Sequence, residues 1–431
     1  MKVLYDISLL GSGYYDPLAR TGVFRVIENI AYGLANSKEC DLSFCTIATH
    51  NNISISVACL DYLEANLKFE KVPFAHPKIK RLLHNQIKPI NEKIDNAYGL
   101  ERLLLKSIRK PLLYSKGFVE YYTNLIDSKS LAAADIFHSP LHPIPKRVRQ
   151  NRKTKNFLTV HDLIPILYPK FFTGDEHKSS QEITLKSLES EDFVICVSQS
   201  TKNDLCNYLK IFDSSRVFVT PLAAAPDFFY PCLSLEKVAA IRKKYNIPDA
   251  RYILSLCTLE PRKNIDHTIR CFAKMIQEQN IQDLYLVLVG AKGWSYDKVF
   301  EEITNFELAK NRIILVGYVA DQDLAALYSG ALAFAYLSFY EGFGLPPLEA
   351  MQCGIPVITS NTSSLPEVVG DAAIRLEPLD VDGLCQSMLE IYSDSSLRKS
   401  MSLKSIEQAK KFSWERCTQE TIAAYKTALS V

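Results

Sequence analysis

The sequence has no excess of charge of either sign: 50 Lys and Arg stand against 48 Asp and Glu, a formal net charge of +2 over 431 residues. A protein devoted to nucleic acid needs a clear surplus of basic side chains to replace phosphate counterions, so that class is set aside. No stretch approaches the roughly 18 uninterrupted apolar residues of a membrane span. The 11 cysteines include no C-x-x-C pair and no Cys/His spacing that suits zinc, and single buried thiols in a reducing compartment are expected. The opening MKVLYDISLL has one Lys and an apolar run broken by Asp6, which reads as a first strand and not as a secretory leader. Low-complexity tracts and short repeats are missing too. The expected place is the cytoplasm, at most peripheral to a membrane.

What is present is 47% hydrophobic and 23% charged, a foldable composition too long for one core, and about 100 to 200 residues per domain gives two or three domains. Short apolar runs alternate with helical-period segments, a pattern that favours parallel sheets covered by helices. In the first half it predicts strands at 3–7, 41–47, 135–138, 157–160, 193–197 and 217–220, with helices at 22–34 and 182–188. In the second half strands fall at 252–257, 284–289, 313–316, 332–336 and 356–359, and helices at 265–277, 297–306, 321–329 and about 347–353. These are two doubly wound α/β units in tandem. The break falls in Leu222 to Leu235, where Pro226 and Pro231 separate a strand from the next helix.

Residues Lys71 to Lys116 stand apart, with 11 Lys and Arg against Glu92, Asp95 and Glu101 and with Leu and Ile recurring among them; a second basic cluster is Lys146 to Lys155. The first stretch reads either as a solvated helical face or as a patch that attaches the chain to anionic lipid, where basic residues gain about 1 kcal/mol each.

The segment with most chemistry is SFYEGFGLPPLEAMQCGIPVITS, Ser338 to Ser360. Glu341 and Glu349 would lie about 12 Å apart along one continuous helix, but Pro346 and Pro347 forbid that helix, because proline is accepted only in a first turn. Glu341 therefore belongs to a loop and Glu349 to the opening turn of a helix. Between them Gly342, Phe343, Gly344 and Leu345 let backbone approach a ligand and deliver N–H groups at a helix N-terminus, a ready site for phosphate. A tight turn with Glu349 complementing the helix dipole is the plainer alternative. The loop follows a strand, so it lies at the carboxyl edge of a parallel sheet, where such folds bind ligands. A second strand leads to TLEPRKNID, and Arg262 and Lys263 arrive at another helix N-terminus, where cations are disfavoured unless an anion lies between. That favours phosphate clamping over a surface pair.

Together the E-x7-E core EGFGLPPLEAM, EPRKN before it and CGIPVITS after it resemble the family 4 retaining glycosyltransferases of the GT-B fold. SSLPEVVGDAA (363–373) and FSWERCTQETIAAY (412–425) extend the likeness over the C-terminal half; RTGVFRV from Arg20, HDL from His161 and VSQSTKNDL from Val197 carry it in the N-terminal half.

The resemblance implies two Rossmann-like domains facing a central cleft. Residues 1–225 would bind the acceptor, 226–248 link, 249–405 bind a nucleotide-diphosphate sugar, and 406–431 form a helix returning to the first domain. It implies that Glu341 touches donor sugar hydroxyls, Glu349 the ribose, and Arg262 with Lys263 the diphosphate. The base would lie near Tyr318 and Val319. Gly22 would approach the diphosphate from the opposite wall, and His161 the reacting sugar, with Asp162 orienting His161 or capping the next turn.

Retention of anomeric configuration is expected on the same ground. Since the two helix N-termini and the Arg–Lys pair can meet the leaving-group charge, neither a metal nor another cofactor is expected, and Asp380 and Asp382 read as helix capping. One departure is that many relatives carry a further Arg where this chain has Cys257-Thr258-Leu259. The expected partners are a nucleotide sugar, with GDP-mannose ahead of UDP- and dTDP-linked sugars, a glycan or lipid-linked saccharide acceptor of cell-surface polysaccharide synthesis, and the anionic membrane surface through Lys71 to Lys116. Two other classes fit less well: a hydride-transfer enzyme, for which Gly11-Ser12-Gly13 lacks the third fingerprint glycine, and a non-catalytic sugar-binding scaffold, against which Arg262, Lys263, Glu341 and Glu349 all stand intact.

Overall fold

The computed structural model describes residues 1–16, 22–47, 52–74, 128–172, 174–210, 212–291 and 311–431, together with 126, 293 and scattered positions between 85 and 111. The expected helix at 297–306, Arg20, and Lys78, Lys80 and Arg81 of the basic stretch lie outside these residues.

Strands β1 (Lys2–Asp6), β2 (Asp41–Cys45), β3 (Ile136–Ser139), β4 (Lys155–Val160), β5 (Phe193–Cys196) and β6 (Val217–Val219) pair in parallel in the order β2-β1-β3-β4-β5-β6. Strands β7 (Arg251–Leu256), β8 (Leu284–Val289), β9 (Ile313–Gly317), β10 (Ala333–Tyr336), β11 (Val357–Ser360) and β12 (Ile374–Leu376) form a second parallel sheet, β12-β11-β10-β7-β8-β9. Strands β3, β5, β10 and β11 are buried at every position. That is why they read as continuous apolar runs: helices cover both faces of a parallel sheet. Each sheet reverses its strand order once, between β1 and β3 and between β7 and β10. The crevice at such a switch point is where open α/β sheets take ligands.

The helices around the sheets include α1 (Ser8–Tyr15), α2 (Gly22–Asn36), α3 (Asn52–Ala65), α4 (Gln199–Tyr208), α5 (Ile265–Glu278), α6 (Asp321–Ser329), α7 (Leu345–Gln352), α8 (Leu365–Val369) and α9 (Trp414–Leu429). Gly11, Ser12 and Gly13 lie inside helix α1. A Cβ on Gly11 would sit 2.5 Å from Cys59 Sγ and 2.8 Å from the Cys59 amide nitrogen of α3, so this glycine lets two helices touch. Helix α7 starts at Leu345, earlier than expected, with Pro346 and Pro347 in its first turn. Glu349 therefore lies past the opening turn.

Helix α9 packs on α2 of the first sheet's half. A Cβ on Gly33 would meet Thr418 Oγ1 at 2.0 Å, and Tyr425 Oη lies 2.6 Å from Nδ1 of the buried His138 on β3. In the second basic cluster Arg149 pairs with Asp192 at 2.7 Å. One apolar cluster runs from β1, α2 and α9 through Leu222, Ala224 and Phe229 into the second sheet. No helix among the described residues is long and apolar enough to cross a membrane.

Candidate active site

Both loops at the β7/β10 switch point enter one cleft. After β7 the chain makes a 3-10 turn, Pro261–Lys263, and Asn264 adopts φ 57° before α5 begins. The Asn264 side-chain amide donates to the carbonyls of Leu337 and Pro378 at 3.1 and 2.6 Å, locking this left-handed residue. After β10, Phe339 N and Ser338 Oγ donate to the Arg262 carbonyl at 2.9 and 3.2 Å, which ties the two loops together. Gly344, at φ 114°, then turns the chain into α7.

Four charged side chains meet there. Lys263 Nζ lies 2.5 Å from Glu341 Oε1 and donates to Tyr336 Oη at 2.7 Å, and Tyr336 donates to Glu341 Oε1 at 2.8 Å. Arg262 reaches Glu341 Oε2 at 2.9 Å, Glu260 Oε1 at 2.6 Å and the Tyr340 carbonyl at 2.7 Å. Burial pushes the Glu341 carboxyl up, but Arg262 and Lys263 outweigh it and hold the group down at about 2. Arg262 Nε is buried with no hydrogen-bond partner. An orphan donor of this kind costs about 1–3 kcal/mol unless something else accepts from it.

Glu349 is buried one turn into α7. It accepts from Tyr328 Oη at 3.1 Å and faces Arg25 at 3.5 Å. Burial pushes its carboxyl up to about 7, with Arg25 pulling the other way. Arg25 comes from α2 in the first half and also meets Asp321 of α6 at 2.5 Å.

The opposite wall comes from the carboxyl edge of the first sheet. His161, just after β4, has Nε2 at 2.8 Å from the Pro140 carbonyl. Since that oxygen only accepts, Nε2 carries the proton. Burial lowers the ring's affinity for a second one, and Nδ1 is the ring's acceptor. Asp162 accepts the Ile164 amide at 2.9 Å, capping the next turn.

The halves touch closely. A Cβ on Gly342 would lie 2.1 Å from the His161 carbonyl oxygen. Ser198 and Thr201 donate to the Gly342 carbonyl at 2.7 and 3.1 Å. The Glu367 carboxylate of α8 accepts the Gln199 and Ser200 amides at 2.8 and 2.7 Å, complementing the N-terminus of α4.

The space between the walls is about 430 Å³, and Gly22, Arg25, His161, Arg262, Lys263, Glu341, Gly342, Phe343, Gly344, Leu345 and Glu349 all line it. Cys257 and Thr258 line it as well, the Cys257 thiol buried and pushed up to about 12. Tyr318, 73% exposed, and the buried Val319 lie at the end of β9 and are not among the lining residues. Asp380 accepts the Gly383 amide at 2.8 Å as a helix cap, and Asp382 pairs with Lys274. Among the described residues no group of three or more His, Cys, Asp or Glu side chains is placed to hold a metal ion.

Arg25, Glu260, Tyr336 and Glu367 escaped the sequence reading. Arg25 lies within RTGVFRV, but nothing local marks a single Arg on an amphipathic helix as crossing to the other half.

Two Rossmann-like halves closing on a cleft are the architecture of the GT-B fold. Residues 237–410 match the family model described as glycosyl transferases group 1. The O-antigen chain mannosyltransferase B of Escherichia coli is 34% identical over 348 residues, 79% of this chain and 87% of that protein. The serotype-specific mannosyltransferase WbdA of Escherichia coli is 31% identical over 278 residues, 64% of this chain but only 34% of WbdA. Among solved structures, sucrose-phosphate synthase of Thermosynechococcus elongatus aligns over 100% of this chain and 99% of its own (TM-score 0.65, 18% identity). Anabaena HepE in complex with UDP and glucose aligns over 99% and 100% (TM-score 0.63, 15% identity). The chain belongs to the group 1 glycosyltransferases and is an enzyme of that class.

Proposed function

We propose that this glycosyltransferase is a retaining, metal-independent mannosyltransferase, moving mannose from GDP-mannose to a glycan or lipid-linked saccharide in the assembly of a cell-surface polysaccharide of O-antigen type. The mannosyl donor and the pathway are supported by the two Escherichia coli mannosyltransferases. The chemistry rests on one observation: Arg262, Lys263 and Glu341 form a single buried network at the N-terminal ends of α5 and α7, inside the cleft that Gly22 and His161 close from the other side.

In the reaction the bond from the anomeric carbon to the diphosphate oxygen breaks and the bond to the acceptor oxygen forms on the same face. The acceptor's proton goes to the departing phosphate. Negative charge grows on the diphosphate, and the charges of Lys263 and Arg262 and the helix N-terminus at Gly344 are fixed in place to meet it, which is electrostatic preorganisation. Glu341, held ionised, receives hydroxyls of the sugar and balances positive charge on the ring. Neutral His161 offers Nδ1 to the same sugar, and Glu349 receives the ribose hydroxyls.

Membrane attachment through Lys71 to Lys116 belongs to the same reading. Leu100, Leu103, Leu104 and Ile108 are exposed beside Arg102 and Lys106, a basic-apolar pairing suited to an anionic leaflet. Charge reversal at Lys78, Lys80 and Arg81 should abolish salt-sensitive binding to anionic vesicles; unchanged binding would remove this part.

The test of function is a panel of nucleotide sugars scored by thermal shift and slow hydrolysis, in EDTA and with added manganese or magnesium. GDP-mannose should rank first and hydrolysis should persist in EDTA. Preference for a UDP- or dTDP-sugar overturns the donor, and strict metal dependence overturns the metal-free chemistry. Lys263→Ala and Glu341→Ala should each lower kcat/KM at least about tenfold, roughly 1.4 kcal/mol of transition-state stabilisation.

A further inference from the structure

Arg25 stands three residues after Gly22 on α2, yet its guanidinium ends among groups of the other half. Nη2 lies 2.5 Å from Asp321 Oδ1 and Nη1 lies 3.5 Å from Glu349 Oε1. Its side chain lines the cleft and is partly exposed, while the Glu349 carboxyl is buried. The titratable groups acting on Glu349 are few. Tyr328 of α6 donates one hydrogen bond, Asp321 at the start of α6 brings a like charge, and the Cys353 thiol after α7 is neutral because burial pushes it up. Arg25 is the positive charge among them.

This matters because of what a carboxyl can do in each state. An ionised carboxylate accepts two hydroxyls at once, whereas a protonated one has turned one oxygen into a donor. Burial and Asp321 both favour the protonated form, so the cation that opposes them decides whether the group can receive a pair of hydroxyls. That cation sits on the half that moves away if the cleft opens.

We propose that Arg25 is a positioning residue. From the N-terminal half it holds Glu349 as the carboxylate that receives the donor's ribose hydroxyls, and it thereby makes nucleotide affinity depend on a closed cleft. The proposal rests on the ribose role given to Glu349 above. Opening the cleft withdraws the guanidinium, Glu349 takes up a proton, and the ribose loses its acceptor, so nucleotide release and opening become one event.

The experiment measures nucleoside diphosphate affinity by calorimetry between pH 5.5 and 9 for the unaltered protein and for Arg25→Gln, Arg25→Lys and Glu349→Gln, with melting curves to confirm folding. GDP, UDP and ADP are titrated first and the tightest is carried forward. Ionisation of the ligand's own phosphate is common to every protein, so the displacement between proteins is what is read. The unaltered protein should bind more tightly as pH rises through about 7, where Glu349 titrates. Arg25→Gln should bind at least about fivefold more weakly at pH 7, with its midpoint displaced to higher pH and its affinity converging on the unaltered value at the alkaline end. Arg25→Lys, which keeps the charge, should restore most of the midpoint.

An Arg25→Gln midpoint equal to the unaltered one overturns the proposal, however weak the binding. Glu349→Gln binding as the unaltered protein does, or no nucleotide binding at all, overturns the ribose reading and this inference with it. A weakened Glu349→Gln beside an unshifted Arg25→Gln overturns the inference alone.

Discussion

Glu341 and Glu349 lie eight residues apart, are both buried, and are driven in opposite directions, to about 2 and about 7. The difference is the number of cations within reach: two at 2.5 and 2.9 Å for Glu341, one at 3.5 Å for Glu349. Two carboxylates separated in this way suit two tasks, one permanently ionised and one poised near neutrality.

Their linkage to stability has opposite sign. Glu341, depressed below its ordinary 4.5, contributes stability that is present above pH 4.5 and lost as pH falls toward 2. Glu349, raised above 4.5, costs nothing below that value, progressively more between pH 4.5 and 7, and its full penalty above 7. That penalty is on the order of 3 kcal/mol. Glu349→Gln should therefore melt higher than the unaltered protein at pH 8, with the gain shrinking toward pH 5, while donor binding falls. A melting difference that does not vary with pH would refute the assignment. Glu341→Gln should do the reverse at pH 7, melting lower, because Arg262 and Lys263 are left as buried cations without their shared partner.

At the scale of elements, Gly342 is where one loop of the second half meets the end of β4. With a Cβ placed 2.1 Å from the His161 carbonyl oxygen, Gly342→Ala cannot keep the observed approach. The backbone must retreat and carry Glu341 and the start of α7 with it. Turnover should fall at least tenfold while the melting temperature changes by a few degrees only, because neither sheet's interior is touched; kcat within twofold of the unaltered enzyme would show the cleft to be more pliant than its contacts imply.

The same position shows what a sequence can reveal. Glycines beside Glu341 and prolines before Glu349 announce a tight loop and a helix start locally, and Arg262 and Lys263 announce cations at a second helix start. Their mutual pairing is invisible, because the partners lie 78 and 79 residues apart and meet only through the β7/β10 crossover. Most strands were legible as apolar runs, but β12 was not, being three residues, Ile-Arg-Leu, that are only partly covered. Helix α1 was hidden by Gly11 and Gly13, and the packing role of Gly11 appears only once α3 is placed beside it.

At the scale of the molecule, the last helix decides whether the halves behave as one. Helix α9 follows the second sheet in sequence but packs on the first, with Tyr425 fully buried against Phe157 and Tyr5. Its hydroxyl meets His138 Nδ1, and His138 Nε2 meets Thr159 at 2.7 Å. Burial holds this imidazole neutral, with its ionisation lowered to about 3, so both ring nitrogens need a hydrogen-bond partner across the working pH range.

Tyr425→Phe keeps the ring and its packing and removes one partner. The cost should be that of an orphaned buried nitrogen, about 1–3 kcal/mol, and it should fall on the first sheet and not on the second. Urea unfolding followed by hydrogen exchange would show β3 and β4 amides losing protection while β7 and β10 keep theirs. Nucleotide affinity in the folded protein should be unchanged, since Glu341, Glu349, Arg262 and Lys263 are carried by the second half and Arg25 by α2, not by β3 or β4. If β7 and β10 lose protection in step with β3 and β4, α9 has fused the two sheets into one cooperative unit, and cleft opening must then proceed with α9 fixed and strain elsewhere.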